Sequence, residues 1–154
     1  MPNVNEIADW FIARVDRGAG DTITHLKLQK LLYFAQSWYL ANTGEELFQD
    51  DFQAWAHGPV VRSIYDRFSE QKWAPIGPVE AEPDLDDRTV SYLEQLYRQY
   101  GQYGAKELER RTHEHDPWKN ARGDLPPEAR CEKVIEKAAM RDFYGEKIGK
   151  KWDS

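Results

Sequence analysis

The 154 residues of this chain include a single cysteine, Cys131, and this scarcity excludes several kinds of site. A lone cysteine forms no disulfide within the chain and builds no cysteine-based zinc site, and it favours a reducing compartment. The first ten residues lack the basic start of a signal peptide, and no apolar run reaches the length of a membrane span. We therefore expect a cytoplasmic protein with no membrane partner.

Basic residues are also too few and too scattered for a typical reader of nucleic acids. The 27 Asp and Glu residues outnumber the 21 Lys and Arg residues, and the net charge is -6. A nucleic-acid-binding domain usually carries a basic stripe, whereas the only basic run here is Lys147, Lys150 and Lys151 near the C-terminus. Such a run is typical of a solvated terminus. We therefore expect no nucleic-acid partner.

Apolar and aromatic residues are present in the amounts that a folded domain needs. Hydrophobic residues make up 40% of the chain, which holds six tryptophans, eight tyrosines and six phenylalanines. A chain of this length buries roughly 70% of the surface that its unfolded form exposes. We expect one domain over residues 1–154. Composition alone leaves open whether the aromatic residues fill the core or also form an exposed patch.

The apolar residues recur mostly at helical spacing. A helix is predicted after Thr24, which occupies a cap position, and should run to about Asn42 and end at Gly44. Because this helix is apolar on both sides, it should be central. The His-Gly-Pro sequence within Phe52–Val61 interrupts helical spacing and predicts a short extended segment or small hairpin. The expected fold class is mainly α, a compact single-domain bundle of about six helices.

Three element boundaries follow from local signals. Asn3 and Glu6 have the spacing of a capping box, which predicts a first helix that ends at Gly18. Pro59 is predicted in the first turn of a new helix, where its missing N–H costs nothing. A last helix is predicted from Val134 to about Lys147.

Four polar residues interrupt the apolar stretch "LKLQKLLYFAQSWYL" of the central helix, namely Lys27, Gln29, Lys30 and Gln36. Lys27 and Lys30 are helical neighbours, and like charges at this spacing cost a few tenths of a kcal/mol. Their stems could lie along apolar surface with their heads in water, paired with a carboxylate or bonded to a loop. Alternatively, the lysines rim a groove beside Tyr33, Trp55 and Trp118 and contact a partner.

The metal-ligating side chains do not form a favourable pattern. The candidates are His57, His113, His115 and Asp116. His113 and His115 are two positions apart, which places them on opposite sides of a strand and aligns them poorly on a helix. We expect no metal site. No glycine loop with the spacing needed to cradle phosphate is present, so we also expect no cofactor.

Candidates for catalysis are few. The flanks of Cys131 contain no helix start or glycine turn that would aim a thiolate at a substrate. One catalytic alternative remains, in which His113, Asp116 and Lys30 converge as acid and base in a pocket. We expect a non-enzymatic binding protein, with this enzyme of unknown reaction as the rival.

Three stretches, taken together and in order, resemble a known family. They are "LKLQKLLYFAQSWYL", "LFQDDFQAWAHGPVVRSIYDRF" and "LERRTHEHDPWKNAR". They resemble the Panacea domain of SocA-like antitoxins and of phage-associated GepA-type proteins. The resemblance covers roughly Ile7 to Tyr144 and implies a mainly helical domain.

The resemblance also assigns motif positions. They are Lys27, Gln29 and Lys30 in the first stretch, Trp55, Gly58, Pro59 and Val60 in the second, and Thr112, His113, Pro117 and Trp118 in the third. His57 departs from the aromatic residue expected at its position, and an imidazole there would add pH dependence. Our candidate partner-binding residues are the motif positions named above together with Tyr33, His57 and Asp116.

The function implied by the resemblance is that of an antitoxin in a type II toxin–antitoxin system. Such a domain binds its cognate toxin protein directly and neutralises it, and the SocA-like resemblance further implies an adaptor that hands the toxin to the ClpXP protease. The domain is found with many unrelated toxins, so the resemblance does not identify the toxin.

Overall fold

Seven α-helices and a small antiparallel sheet form the part of the chain that the computed structural model describes, residues 1–72 and 74–148. The helices are α1 (Val4–Arg14), α2 (His25–Thr43), α3 (Arg62–Phe68), α4 (Asp87–Tyr100), α5 (Ala105–Glu114), α6 (Asp116–Arg122) and α7 (Lys137–Gly145). The strands are β1 (Phe52–Trp55), β2 (Gly58–Val60) and β3 (Val134–Ile135). The mainly α fold class is confirmed, with seven helices where about six were expected.

Helix α2 is central, as its apolar character on both sides predicts. Thr24 caps its start by accepting a bond from the Lys27 N–H, and Gly44 ends it in the left-handed conformation. Its neighbours in space include α1, α3, α4, α5, α7 and β2. Leu28, Leu31 and the other aliphatic residues of its inner face are fully buried. Each such side chain contributes about 1.5–3 kcal/mol of hydrophobic stabilisation.

The predicted hairpin is formed by β1 and β2. Its register pairs Gln53 with Val60, Ala54 with Pro59 and Trp55 with Gly58. The expectation that Pro59 begins a helix is wrong, because Pro59 lies in β2 and α3 begins three residues later. Proline is tolerated there because β2 is an edge strand of the sheet, whose order is β2-β1-β3.

The first and last helices are shorter than predicted. The capping box at Asn3 is confirmed, but α1 ends at Arg14 rather than Gly18, because Val15 has an extended backbone and Asp16 caps a separate 3-10 turn over Arg17–Ala19. At the other end, residues 134 and 135 pair with β1 as β3 instead of beginning the helix. Lys150 and Lys151 of the basic run lie outside the described residues.

The described helices are all too short or too polar to cross a membrane.

Candidate functional site

The three motif stretches meet where α2, the β1–β2 hairpin and α5 pack together. The Nζ atom of Lys30 donates a hydrogen bond to the carbonyl oxygen of Pro59 over 3.0 Å. Gly58 lies directly over this lysine with φ +107°, a conformation that favours glycine. A Cβ atom at Gly58 would lie 2.5 Å from Lys30 Cε and 3.1 Å from Thr112 Oγ1. Glycine is therefore required both by backbone conformation and by the space that the buried lysine occupies.

Lys30 is a charged residue enclosed by the protein. Its side chain is 0% exposed, and burial lowers its pKa to about 7, although the nearby carboxylate of Glu109 opposes that shift. Removing an ammonium group from water costs several kcal/mol unless partners compensate. Near neutral pH the amine is therefore divided between its charged and neutral forms. In both forms it remains a hydrogen-bond donor to the hairpin.

Gln29 and His25 fix the end of the hairpin to the start of α2. The Gln29 Oε1 atom accepts from the Val61 N–H at 2.9 Å, and Gln29 Nε2 donates to the Val61 carbonyl at 3.2 Å. Gln29 Nε2 also lies 2.9 Å from His25 Nε2. Since the amide nitrogen can only donate, His25 Nε2 must accept, and the proton of this neutral ring lies on Nδ1. Burial lowers the pKa of His25 to about 4, and the charge of Lys30 adds to that effect.

Gln36 uses the same arrangement about two turns further along α2. Its Oε1 accepts from the Leu47 N–H and its Nε2 donates to the Phe48 carbonyl, both at 2.7 Å. The two glutamines thus satisfy backbone groups of loops that pack against the central helix. Buried polar groups need such partners, because an unpaired one costs about 1–3 kcal/mol.

Lys27 anchors a different part of the molecule. Its Nζ donates to the carbonyl oxygen of Gly101 at 2.6 Å, just after the last residue of α4. Burial lowers the pKa of Lys27, while Asp21 acts in the opposite direction. The two lysines of the first motif therefore hold separate segments, and Lys27 does not join the hairpin.

Trp118 and Arg122 hold the other side of the hairpin. Trp118 Nε1 donates to the Trp55 carbonyl, and Arg122 donates to the Ala54 carbonyl, both at 2.8 Å. The ring of His113 stacks on Trp118 with 4.0 Å between ring centroids. Arg122 also reaches three carbonyls of the loop after α6, those of Pro126, Pro127 and Ala129. Sequence reasoning missed Arg122, although it ends the third motif stretch.

Tyr33 lies in the core rather than on the rim of a groove. It is 0% exposed, packs edge-on against Phe52 and is 3.4 Å from the Tyr144 hydroxyl. That hydroxyl lies 2.8 Å from His115 Nδ1. Burial lowers the pKa of His115 to about 4. These groups form a buried polar network, so the position expected for Tyr33 is corrected by the structure.

The acid–base group of the catalytic alternative does not assemble as expected. Asp116 is exposed at the start of α6 and lies 3.7 Å from Lys119. Glu109 lies near Lys30 instead. Its buried Oε1 atom lies 3.3 Å from His57 Nδ1, and His113 Nε2 is buried without a hydrogen-bond partner. Burial lowers the pKa of His113, with Glu109 opposing. Among the described residues, no group of three or more His, Cys, Asp and Glu side chains could hold a metal ion.

The surface of the hairpin presents an aromatic ridge, which we define as Trp55 and Tyr65. Their ring centroids are 4.7 Å apart, and the guanidinium of Arg62 lies 5.7 Å from the Trp55 ring. His57 is exposed beside the ridge, with Nδ1 3.3 Å from Glu109 Oε1. Grooves of about 280 and 440 Å³ flank the ridge. Lys30 and Trp118, which bond to the hairpin from within, line neither groove, and neither does Thr112.

Comparisons with known proteins identify a family for the region that holds most of these motifs. The family model described as "Antitoxin SocA-like, Panacea domain" matches residues 28–119, from α2 to α6. Antitoxin SocA of Caulobacter vibrioides (strain NA1000 / CB15N) is 47% identical over 47 residues, which are 30% of this chain and 25% of that relative. The aligned part thus spans a quarter of the relative's length, and no solved structure matches the chain significantly. Because the family model covers more than half of the sequence, the chain belongs to the SocA-like, Panacea-domain antitoxin family.

Proposed function

We propose that this chain is the antitoxin of a type II toxin–antitoxin system, which binds a cognate toxin protein and neutralises it. The observation that carries the proposal is the family match over residues 28–119. This range contains the hairpin, the aromatic ridge and most of α2 and α6, the two helices that hold the hairpin, while Arg122 lies just outside it. The similarity to a relative named Antitoxin SocA supports the same function.

The geometry of the hairpin supports a binding role. Its backbone carbonyls are held by Lys30, Trp118 and Arg122 from two helices. A surface that is already ordered loses little conformational entropy when a partner binds. The ridge residues Trp55 and Tyr65, together with Arg62, are of the types that dominate binding energy at protein interfaces. We therefore place the toxin on this side of the molecule.

We further propose that the protein acts stoichiometrically and not as an enzyme. Lys30 is fully enclosed and Asp116 is exposed, and none of the three side chains of the catalytic alternative lines either groove beside the ridge. A binding inhibitor protects only when it is present in at least equal amount to the toxin. An enzyme would protect at a small fraction of that amount.

The experiment is coexpression with the product of the adjacent reading frame from two independent promoters. We expect growth arrest by the neighbouring protein alone, full rescue by this chain near a 1:1 ratio, and a complex that survives purification. Persistent toxicity with no complex would overturn the antitoxin assignment. Rescue at a far lower ratio would overturn the stoichiometric role.

The SocA-like resemblance supports a second step, in which the bound toxin is handed to the ClpXP protease. This step predicts that the toxin has a short half-life only when both this chain and active ClpXP are present. Toxin levels would be followed after synthesis is stopped, in cells with and without the protease. An unchanged half-life together with rescue would show simple blocking and exclude the adaptor step.

A further inference from the structure

The smaller groove beside the aromatic ridge has an ordered hydrogen-bond donor at its floor. We call it the His25 groove; Leu26, Val60, Trp55 and Tyr65 form its walls and His25 its floor. The bond from Gln29 places the ring proton on Nδ1. His25 forms no other hydrogen bond with the described residues. Its Nδ1 atom is not one of their buried nitrogens that lack a partner. The Nδ1–H group is therefore accessible from the groove that the ring lines.

The rim of the His25 groove is cationic. Lys72 lines it and forms no ion pair with the described residues. The described lining residues include no aspartate or glutamate. This local charge contrasts with the net charge of -6 for the whole chain. A groove that combines such a lysine with an N–H donor is complementary to a negatively charged or carbonyl-bearing ligand.

The size and walls of the groove limit what it can hold. Its volume is about 280 Å³, below the roughly 300–1,000 Å³ of pockets that hold drug-sized ligands. It can accept one large side chain, and its aromatic and aliphatic walls favour an apolar one. The Trp55 backbone is fixed by Trp118 and its indole N–H is bonded to Gln53 Oε1 at 2.8 Å. The groove is therefore preformed for an apolar anchor.

We propose that the His25 groove binds a segment of the toxin in which a large apolar side chain adjoins a carboxylate. The apolar side chain enters between Leu26 and the ridge, and a carbonyl oxygen of the segment accepts from His25 Nδ1–H. The carboxylate pairs with Lys72 at the rim. Only the identity of the partner rests on the proposed function, since the chemistry follows from the groove itself.

The first test uses defined peptides and the full chain. Acetyl-Ala-Phe-Asp-Ala-amide and its Asn analogue are titrated while the ¹H–¹⁵N spectrum is recorded. We expect the Asp peptide to shift the Trp55 indole and the Leu26 amide and to bind about three- to fivefold more tightly, as for an exposed ion pair. Equal binding of the two peptides, shifts elsewhere, or no binding at millimolar concentration would each overturn the proposal.

Matched charge reversals locate the carboxylate contact. Lys72→Glu should abolish the preference for the Asp peptide, whereas Lys133→Glu, at an exposed lysine outside the groove lining, should leave it unchanged. Both lysines are exposed, so both variants should fold normally. An equal effect of the two reversals would indicate long-range charge and overturn the specific contact. A change in self-association on peptide binding would instead identify the groove as an interface between copies and overturn the proposal.

The toxin itself separates this inference from the proposed function. In the coexpression assay, Lys72→Glu should weaken rescue and Lys133→Glu should not. Full rescue by Lys72→Glu would overturn the groove proposal while leaving the antitoxin function intact. Absence of rescue by the natural chain would overturn the antitoxin function, and the peptide titration would still decide the chemistry of the groove.

Discussion

The Lys30 ammonium nitrogen lies 3.0 Å from the carbonyl oxygen of Pro59, with the lysine side chain fully buried and Gly58 packed directly against it. This contact joins the central helix to the hairpin at a place where the hairpin backbone must lack a side chain. It also explains why a lysine is compatible with an apolar helix. The lysine supplies a donor of the right length to a buried carbonyl, at the cost of burying a charge.

That cost predicts a pH dependence of stability. The pKa of Lys30 is lowered by burial from 10.5 to about 7. Between these values the unfolded chain binds more protons than the folded one, so stability rises with pH across this window. From pH 7 to pH 9 we expect Lys30 to add about 2 kcal/mol to the free energy of unfolding. Urea denaturation at the two pH values measures it.

Lys30→Met serves as the reference for this measurement, because methionine keeps most of the apolar stem without a titrating group. In this variant, most of the rise in the free energy of unfolding between pH 7 and pH 9 should be lost. The remaining dependence on pH reports Lys27, whose pKa is also lowered by burial. The same rise in the variant and the natural chain would show that Lys30 does not titrate in this window.

The sequence was sufficient for the elements with strong local signals. For α2, Thr24 predicted the N-terminal cap, the following apolar residues predicted the helical period, and Gly44 predicted the end. The structure agrees with all three predictions. His-Gly-Pro predicted an interruption of helix, and the hairpin lies there. Such signals act over a few residues, so they can be read without knowledge of the fold.

Where the sequence-based predictions were wrong or incomplete, tertiary contacts determined the structure. Residues 134 and 135 share helical spacing with the apolar residues of α7, yet pairing with β1 makes them a strand. Tyr33 falls on the less apolar side of α2, but α7 covers that side and buries it. Glu109 approaches Lys30 from another helix, which no spacing in either segment could indicate. These relations depend on how distant segments pack.

Gly58→Ala should be strongly destabilising. The substitution places a Cβ 2.5 Å from Lys30 Cε and forces alanine into φ +107°, so we expect a loss of about 2–4 kcal/mol in thermal or urea unfolding. Gly77→Ala is the matched control, since a Cβ there meets nothing within 4 Å and should change stability by less than about 0.5 kcal/mol. Equal effects of the two changes would contradict the close approach.

Arg122→Lys should behave as a damaging change and not as a conservative one. The Arg122 guanidinium donates to carbonyls on both the hairpin and the following loop, and an ammonium cannot reproduce this planar fork. We expect a loss of about 2–3 kcal/mol in the free energy of unfolding, since buried acceptors lose their donor. Arg130→Lys, at a side chain that is 87% exposed, should have no measurable effect. A stability near that of the natural chain for Arg122→Lys would show that the carbonyls find other donors.

Trp55 and Trp118 form a natural pair for separating binding from folding. Trp118 is 5% exposed and donates to the hairpin, so Trp118→Ala should cost about 3–5 kcal/mol of stability. The Trp55 side chain is half-buried on the ridge, and the bond from Trp118 ends on its backbone, which alanine retains. Trp55→Ala should therefore keep the fold and weaken toxin binding by about 2 kcal/mol, roughly thirtyfold in Kd.

Calorimetry with the purified toxin measures the affinity of each variant, and urea unfolding of the free chain measures its stability. Both measurements use the same samples. If Trp55 contributed only to folding, its loss of affinity would vanish once the folded fraction was restored by lower temperature. If it contributes to the interface, the loss of affinity persists in a fully folded sample. Affinity equal to that of the natural chain in folded Trp55→Ala would place the toxin on a face other than the ridge, because a central tryptophan anchor cannot be removed from an interface without cost.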